Sequence, residues 1–386
     1  MRVAHLADAR DVLERYWGHA QFRVPQLKVI GPLLAGRDVL AVLPTGAGKS
    51  LCFQVPALLR AGLTLVVSPL ISLMQDQVRT LRRRGVPAAY LTSELAADRR
   101  RAVLDGVRRG AVRLLYCAPE RLEGLSRWLR ARRVAVGLLA VDEAHCIVEW
   151  GSEFRPAYQR LGAIRYHLRN PTTVALTGSA TPAARRTIAR VLRLRETVEI
   201  VTSFDRPNLR FVVERVRDDR ARFARVRDLI RDATGPVIVY APTRRLTELV
   251  TRALRRTGTR AAPYHAGLAA TDRRQVLVAF LRDKAPVIVA TTAFGMGIDK
   301  PDVRRVVHWG PAHTLEGYYQ EAGRAGRDGQ AATCTLLWHP GDWRAGTAAT
   351  EVRAYVERRA CRRRILLAHF GERLQRCAGC DVCGRG

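Results

Sequence analysis

The stretch that decides the fold is VLAVLPTGAGKS, residues 39–50. Its first four residues are apolar and predict a short buried strand, and the segment after residue 50 has the apolar spacing of a helix. A strand, a glycine-rich turn and a helix N-terminus direct backbone N–H groups and the positive end of the helix dipole at one point, where a phosphate can bind. We therefore predict a phosphate loop made of Thr45, Gly46, Ala47, Gly48, Lys49 and Ser50.

Two acidic residues follow a second apolar run about 90 residues later. The run at 138–141 predicts a buried strand, and it leads into Asp142 and Glu143. An acid at the end of a buried strand is costly unless it has a ligand. Lys49 is expected to reach the β- and γ-phosphates of ATP, and Ser50 and Asp142 to bind Mg²⁺. Glu143 fits the base that orients and deprotonates the attacking water.

A third string, QEAGRAGRDG at residues 320–329, carries two arginines three residues apart. This spacing predicts that Arg324 and Arg327 project from one face of a helix. Phosphoryl transfer needs positive charge on the γ-phosphate late in the reaction. We predict that Gln320, Arg324 and Arg327 complete the catalytic site.

Along the chain, short apolar runs alternate with helix-like amphipathic segments, the pattern of α/β domains with parallel sheets. In the first half, strands are predicted at 39–42, 63–68, 114–117, 138–141 and 173–176. In the second half, they are predicted at 237–240, 261–264, 287–290, 305–309 and 334–338. A polar stretch at 193–207 separates the two sets and predicts the domain boundary.

The charge of the chain favours a polyanionic partner. Lys and Arg total 66 against 35 Asp and Glu, a net charge of +31, so nucleic acid is the first partner to consider. The other reading is a solvated basic surface encoded by a GC-rich bacterial genome, because only Lys28, Lys49, Lys284 and Lys300 are lysines. The N-terminus does not resemble a signal peptide, and no apolar run approaches the ~18 residues of a membrane helix. We expect a protein of the bacterial cytosol or nucleoid, with no membrane contact.

The eight cysteines divide into two groups. Four scattered ones lie in or beside apolar runs and are predicted to be small buried hydrophobic residues: Cys52, Cys117, Cys146 and Cys334. The other four lie near the C-terminus with two overlapping C-x-x-C steps, and this spacing predicts a closed, structural Zn²⁺ site. Its ligands would be Cys361, Cys377, Cys380 and Cys383.

These strings, in this order, resemble superfamily 2 helicases, and further segments narrow the resemblance to the RecQ DNA helicases. The matching segments are 17–26 (WGHAQFRVPQ), 68–77, 118–122, 175–181 and 290–301. The resemblance implies that Gln26 hydrogen-bonds the adenine of ATP while His19 and Arg23 stack on it. It also implies that Asp299 contributes to the ATP site.

The segment WGSEFRP at 150–156 resembles the aromatic-rich loop of the family, which senses single-stranded DNA and signals to the ATP site. Aromatic side chains stack on any base and arginine holds the backbone; a simple aromatic packing cluster is the alternative. The residues that the resemblance assigns to DNA binding or coupling are Ser68, His145, Trp150, Phe154, Arg155, Ser179 and Thr181.

The resemblance implies two tandem RecA-like parallel-sheet lobes, 1–200 and 201–345, and a small zinc-binding helical module at 346–386. ATP and Mg²⁺ would bind between the lobes and drive 3′→5′ movement on single-stranded DNA, with unwinding of tailed or forked duplexes in repair or recombination. The sequence ends three residues after Cys383. We therefore expect a short, monomeric form without the winged-helix and C-terminal HRDC domains.

Two other functions remain open from sequence. An RNA helicase would share the phosphate loop, but the cysteine set, the aromatic-rich loop and the adenine segment argue against it. A DNA-binding or strand-annealing protein with a vestigial ATPase is the second alternative. Lys49, Glu143 and Arg327 argue against this alternative because an inactive site does not need them.

Overall fold

The computed structural model describes residues 5–44, 46–149, 156–295, 300–343 and 350–384. The chain divides into two compact units, Met1–Ser203 and Phe204–Gly386. Within the described residues, no helix is both long and apolar enough to cross a bilayer.

The first unit is built on a parallel sheet. Its strands in the described residues are β1 (Val39–Val42), β2 (Leu63–Val67), β3 (Ala88–Leu91), β4 (Leu114–Cys117), β5 (Val136–Val141), β6 (Thr172–Thr177) and β7 (Val198–Val201). They lie in the order β3-β4-β2-β5-β6-β1-β7, and every pairing is parallel. All residues of β1, β2 and β4 are buried, as expected for strands covered by helices on both faces.

Helices flank this sheet: α1 (Leu6–Trp17), α2 (Val24–Leu34), α3 (Leu51–Leu59), α4 (Ile71–Arg83), α5 (Ala97–Arg108), α6 (Pro119–Ala131), α7 (Cys146–Glu149), α8 (Leu161–His167) and α9 (Pro182–Val191). A 3₁₀ turn, Pro156–Arg160, precedes α8. The helix α4 shows why the sequence packs here: Met74, Val78 and Leu81 share one face at helical spacing and are buried in the core, while its arginines face solvent.

The second unit has its own parallel sheet. Its strands in the described residues are β8 (Leu209–Arg215), β9 (Val237–Tyr240), β10 (Ala261–Tyr264), β11 (Val287–Ala290), β12 (Arg305–His308) and β13 (Ala332–Trp338). Their order is β10-β11-β9-β12-β13-β8. The helices are α10 (Asp219–Arg231), α11 (Arg244–Arg256), α12 (Ala270–Leu281), α13 (Leu315–Ala322), α14 (Thr350–Glu357) and α15 (Arg362–His369), with a 3₁₀ turn at Pro340–Asp342.

The prediction of two parallel α/β lobes is confirmed, and every predicted strand is present with its ends shifted by two residues or fewer. Three strands were not predicted. β3 contains two alanines, and β8 carries charged residues on one face. β7 lies inside the stretch predicted to be a polar boundary and instead pairs with β1 at the edge of the first sheet. The four scattered cysteines are buried, as predicted.

Candidate functional site

The phosphate loop follows β1 and leads into α3, as predicted. Gly46 and Gly48 have φ angles of 85° and 75°, a left-handed region that favours glycine. A Cβ on Gly48 would lie 2.4 Å from Nε2 of Gln26, so a side chain here would displace the Gln26 amide from the loop. The loop therefore keeps its backbone N–H groups free of side-chain bulk at the N-terminus of α3. Thr45 lies outside the described residues.

The two chemical side chains of the loop are held from neighbouring elements. Lys49 Nζ lies 3.4 Å from the Leu43 carbonyl oxygen. The hydroxyl of Ser50 accepts a hydrogen bond of 3.0 Å from Gln77 Nε2, and Gln77 Oε1 accepts one of 2.7 Å from Gln54. Gln77 was not predicted as a site residue, although its segment, 68–77, is among those that carry the RecQ resemblance. It orients the predicted Mg²⁺ ligand.

The predicted adenine residues lie beside this loop. Gln26 is buried in α2, and its Nε2 donates to the carbonyl oxygens of Ala47 and Gly48, each at 3.2 Å. Its Oε1 accepts from the backbone N–H of Arg23, and Arg23 donates to the Gly46 carbonyl. Gln26 thus braces the phosphate loop in this structure, and a bond to adenine would share or replace these contacts. His19 and Arg23 are exposed.

The acidic pair lies at the end of β5. Asp142 is buried, and its carboxylate accepts from the Glu143 backbone N–H at 3.1 Å. The pKa of Asp142 is raised to about 7, chiefly by burial and also by the Glu143 carboxylate, while Lys49 and the Glu143 amide oppose the shift. Glu143 adopts a φ of 50°, a strained conformation for a side chain of this size. Because the pKa of Asp142 is about 7, the Asp142 carboxyl can readily exchange its proton for a cation.

A polar chain runs from Glu143 into the neighbouring strand β6. Glu143 Oε2 lies 3.4 Å from His145 Nδ1, which lies 3.0 Å from the Thr177 hydroxyl. The Thr177 hydroxyl donates to the Ser179 carbonyl at 3.0 Å. The sequence did not single out Thr177, although it joins two predicted coupling residues.

The other predicted DNA-binding residues differ in their surroundings. The side chains of Ser68 and Ser179 are each only 1% exposed, so neither hydroxyl is open to a direct DNA contact in this structure. Thr181 caps α9 by accepting from the Ala184 backbone N–H at 3.2 Å. Trp150, Phe154 and Arg155 lie outside the described residues, as does Asp299.

In the second unit, the predicted arginines do not lie on a helix. α13 ends at Ala322, and Arg324 and Arg327 lie in the turns that follow, so the prediction of a shared helical face is wrong. The physical reason is glycine: Gly323 caps the helix, and Gly326 has a φ of 53°. Gln320 lies within α13 as predicted.

The segment before β8 holds this turn in place. The Arg206 guanidinium donates to the carbonyl oxygens of Gly323, Ala325 and Gly326 at 3.3, 3.0 and 2.9 Å. Asn208 Nδ2 donates to Gly326 and Gln330 at 2.8 and 2.9 Å. These two residues were missed from sequence because they lie more than 110 positions from the turn. They fix the backbone from which Arg324 and Arg327 extend.

The four C-terminal cysteines converge. The Sγ atoms of Cys361, Cys377, Cys380 and Cys383 all lie within 4.8 Å of one another. Thiolates bound tetrahedrally to Zn²⁺ would lie roughly 3.8 Å apart, so the set fits zinc with little adjustment. Although burial raises the pKa of Cys380, hydrogen bonds from the backbone of Cys383, Arg362 and Val382 lower it to about 7, which favours a thiolate ligand.

The zinc turn is joined to the sheet of the second unit. The Asp381 backbone N–H donates to the Phe211 carbonyl of β8 at 3.1 Å, and its carboxylate accepts from the Val213 N–H at 3.2 Å. The same carboxylate pairs with Arg362 at 3.0 Å. The buried Arg363 binds Asp205 and donates to the carbonyl oxygens of Arg206 and Leu209. The module therefore packs as part of the second unit.

Three family models match the chain. A DEAD/DEAH box helicase model matches residues 23–190, a helicase conserved C-terminal domain model matches 221–329, and a RecQ zinc-binding model matches 344–384. The chain also has two parallel sheets, a phosphate loop and a four-cysteine site. Together with these matches, they place it in the class of two-lobed proteins with a helicase fold and a zinc module.

Relatives narrow the class. The ATP-dependent DNA helicase RecQ of Synechocystis is 43% identical over 349 residues, covering 88% of this chain and 73% of that protein. The RecQ of Pasteurella multocida is 40% identical over 397 residues, covering 97% of this chain and 62% of that protein. The chain therefore belongs to the RecQ helicase family. It spans 62% and 64% of the RecQ proteins of Pasteurella multocida and Haemophilus influenzae, less than two thirds of their length.

Solved structures agree on the fold. The DUF1998 helicase MrfA bound to DNA has a TM-score of 0.71 at 18% identity, covering 90% of this chain and 52% of that chain. Dbp5 of S. cerevisiae bound to RNA and ADP BeF3 has a TM-score of 0.68 at 14% identity, covering 85% and 87%. At these identities the likeness concerns the fold alone.

Proposed function

We propose that this chain is an ATP-dependent DNA helicase that couples ATP hydrolysis to 3′→5′ movement on single-stranded DNA and opens tailed duplexes. The observation that carries the proposal is the phosphate loop of Lys49 and Ser50 in the same unit as the Asp142–Glu143 pair, in a chain of the RecQ family. We extend the proposal to a role in DNA repair or recombination, which the resemblance to the RecQ family implies.

In this proposal, the loop amides and Lys49 bind the β- and γ-phosphates of ATP. Ser50 and Asp142 would hold Mg²⁺, which neutralises charge on the phosphates. Glu143 orients a water molecule and accepts its proton as the water oxygen attacks the γ-phosphorus. The bond to the bridging oxygen breaks, and ADP leaves with inorganic phosphate.

We further propose that Arg324 and Arg327 of the second unit supply positive charge to the γ-phosphate during this step, and that the neutral amide of Gln320 completes the catalytic site beside them. His19, Arg23, Gln26 and Asp299 would recognise the rest of the nucleotide, with Gln26 moving between adenine and its present contacts to the loop.

The contacts between Glu143 and Ser179 support a route for coupling. DNA bound by Trp150, Phe154 and Arg155, which follow α7 in the sequence, would displace α7 and with it His145, the residue that precedes this helix. His145 touches both Glu143 and Thr177, so a small displacement would change the position of the catalytic base. Ser68, Ser179 and Thr181 would complete the coupling, largely through buried contacts and helix capping.

The organisation that we propose is two RecA-like lobes, 1–200 and 201–345, followed by a zinc module at 346–386. The protein would act as a monomer in the bacterial cytosol, on DNA at the nucleoid. Its high positive charge supports binding to the phosphate backbone, with a slope of about −0.7 in log affinity against log salt for each phosphate contacted on a single strand.

The test is steady-state ATP turnover with no nucleic acid, with single-stranded DNA and with RNA of equal length. We expect stimulation by DNA and little by RNA, and none in Glu143→Gln, which keeps the shape of the side chain. Strand displacement on 3′-tailed and 5′-tailed duplexes tests polarity. Preferential stimulation by RNA would favour an RNA helicase, and annealing of DNA strands without ATP turnover would favour the strand-annealing alternative.

A further inference from the structure

Tyr240, the last residue of β9, belongs to none of the sequence motifs described above. Its side chain is nevertheless buried in the second unit. Burial raises the pKa of its hydroxyl well above the ordinary value for tyrosine, so the group stays protonated. A neutral phenol can donate one hydrogen bond while accepting another. The donated bond is made here.

The hydroxyl joins two functional segments. It donates to the Phe294 carbonyl oxygen at 2.7 Å, and the nearby charge of Arg324 opposes the rise in its pKa. The Arg324 guanidinium lies against the turn after β11, because a Cβ on Gly295 would be 3.6 Å from Arg324 Nη2. The Tyr240 hydroxyl and the Arg324 guanidinium therefore meet at the same turn, at neighbouring residues Phe294 and Gly295.

His308 of β12 supports this arrangement from the next strand. Its ring stacks on Tyr240, with centroids 5.3 Å apart and planes inclined by 21°. Its Nε2 lies 2.9 Å from Oε2 of Glu321, a residue of α13 that precedes Arg324 by three positions. His308 is 2% exposed, so the stack and the contact with Glu321 are shielded from water. The Tyr240 ring and the start of the arginine turn are thereby fixed to one sheet.

We infer that Tyr240 is a positioning residue for Arg324: its hydroxyl fixes the Phe294 carbonyl in the turn at 291–295, and the guanidinium is held in its working orientation against that turn. The inference rests on the proposed function, in which Arg324 acts on the γ-phosphate. An arginine side chain has several rotamers, and fixing one in advance removes an entropic cost from the transition state. Because that benefit is realised mainly in the transition state, its loss lowers kcat and leaves ATP affinity almost unchanged.

The experiment compares Tyr240→Phe, Arg324→Ala and the double variant, with ATP turnover measured at saturating single-stranded DNA. Phenylalanine keeps the ring and its stack and removes only the hydroxyl. We expect Tyr240→Phe to lower kcat by about tenfold to a hundredfold with KM for ATP unchanged, the scale of a displaced catalytic group. In the Arg324→Ala background the same change should have no further effect, because the group it positions is gone. Single-turnover rates with enzyme in excess make the slow variants measurable.

Tyr318→Phe is the matched control. Tyr318 is fully buried in the same unit, and its hydroxyl lies 3.3 Å from that of Tyr355. It should lower the melting temperature while kcat stays normal. A normal kcat in Tyr240→Phe, or an equal loss in the presence and absence of Arg324, would overturn the inference. If Arg324→Ala itself turned over ATP at the normal rate, the proposed active site would fail; loss in Arg324→Ala with a normal Tyr240→Phe would refute only the positioning role.

Discussion

In the first unit the phosphate loop takes its shape from Gly46 and Gly48, whereas in the second unit the arginine turn is held by the side chains of Arg206 and Asn208. The loop must leave its amides open for a ligand, and small residues achieve this. The turn must present long, flexible cations, and distant polar side chains fix its backbone. The residues that shape the phosphate loop lie within a few consecutive positions, whereas those that hold the arginine turn are distant from it in the sequence.

The comparison extends to the metal. The zinc module packs against the second unit through Asp381 and Arg363. The two units should therefore respond differently to changes at the nucleotide and metal sites.

The largest effect should follow removal of zinc. We expect about one zinc ion per chain, with a contribution on the order of 10 kcal/mol, the scale of structural zinc sites. Chelation should unfold residues 361–384 and loosen β8, while the first unit stays folded. Metal analysis with hydrogen exchange measures both, and Cys117→Ala, a buried cysteine of the first unit, should keep its zinc. A protease-resistant C-terminus in a metal-free preparation would contradict the assignment.

Lys49→Arg should reduce ATP turnover by about 10³-fold or more, the scale for loss of a preorganised charge contact. The broad guanidinium does not fit where a compact ammonium meets two phosphates. Lys28→Arg is the matched control, because Lys28 is exposed on α2. Turnover is measured with saturating DNA, and near-normal rates for Lys49→Arg would show that the loop does not bind ATP as proposed.

Arg327→Ala tests the second unit. ATP hydrolysis should fall by about 10³-fold, the lower range for an arginine finger. Binding of a non-hydrolysable ATP analogue should persist, since the first unit supplies the phosphate loop. Arg282→Ala, at an exposed position after α12, provides the control. If analogue binding disappears together with hydrolysis, Arg327 serves ground-state binding instead.

The smallest effect is a pH dependence of Mg²⁺ and nucleotide binding. Because the pKa of Asp142 is raised to about 7, its carboxyl is largely protonated below that pH, and Mg²⁺ must displace the proton. Binding should weaken by up to about tenfold for each unit that the pH falls below 7, and it should level off above 7. Calorimetry in buffers of different ionisation enthalpy measures the released proton. Asp142→Asn should bind weakly at every pH and release none.

Much of the fold could be predicted from sequence because buried parallel strands leave continuous apolar runs. β1 and β9 are short but entirely apolar, and both were predicted to the residue. β7 could not be, because at a sheet edge its Glu199 and Val201 face solvent and break the apolar signal. Arg324 and Arg327 have helix-compatible spacing, but the chain turns there, with Gly326 in the left-handed region and the distant Arg206 and Asn208 bonded to the carbonyl groups of the turn.

The residues of the candidate site also fall into those that the sequence predicted and those that it did not. Lys49, Ser50, Asp142 and Glu143 stand next to strands whose ends bring them together, so their strings carry the prediction. Gln77, Thr177 and Tyr240 act on partners from other strands and helices, and the pairs are 27 to 84 positions apart. Such pairings depend on strand order, which a single sequence does not reveal.

The pairing of the zinc turn with β8 has a consequence for how this protein would fail. β8 is an edge strand, and Phe211 and Val213 use its outward backbone groups to bind Asp381. Without the zinc turn, a flat row of unpaired amides and carbonyls would be open to a strand from another copy. Zinc binding by the four thiolates thus also protects the protein from aggregation. A chain that lost its metal, or was oxidised at these cysteines, would be prone to edge-to-edge aggregation while its phosphate loop remained intact.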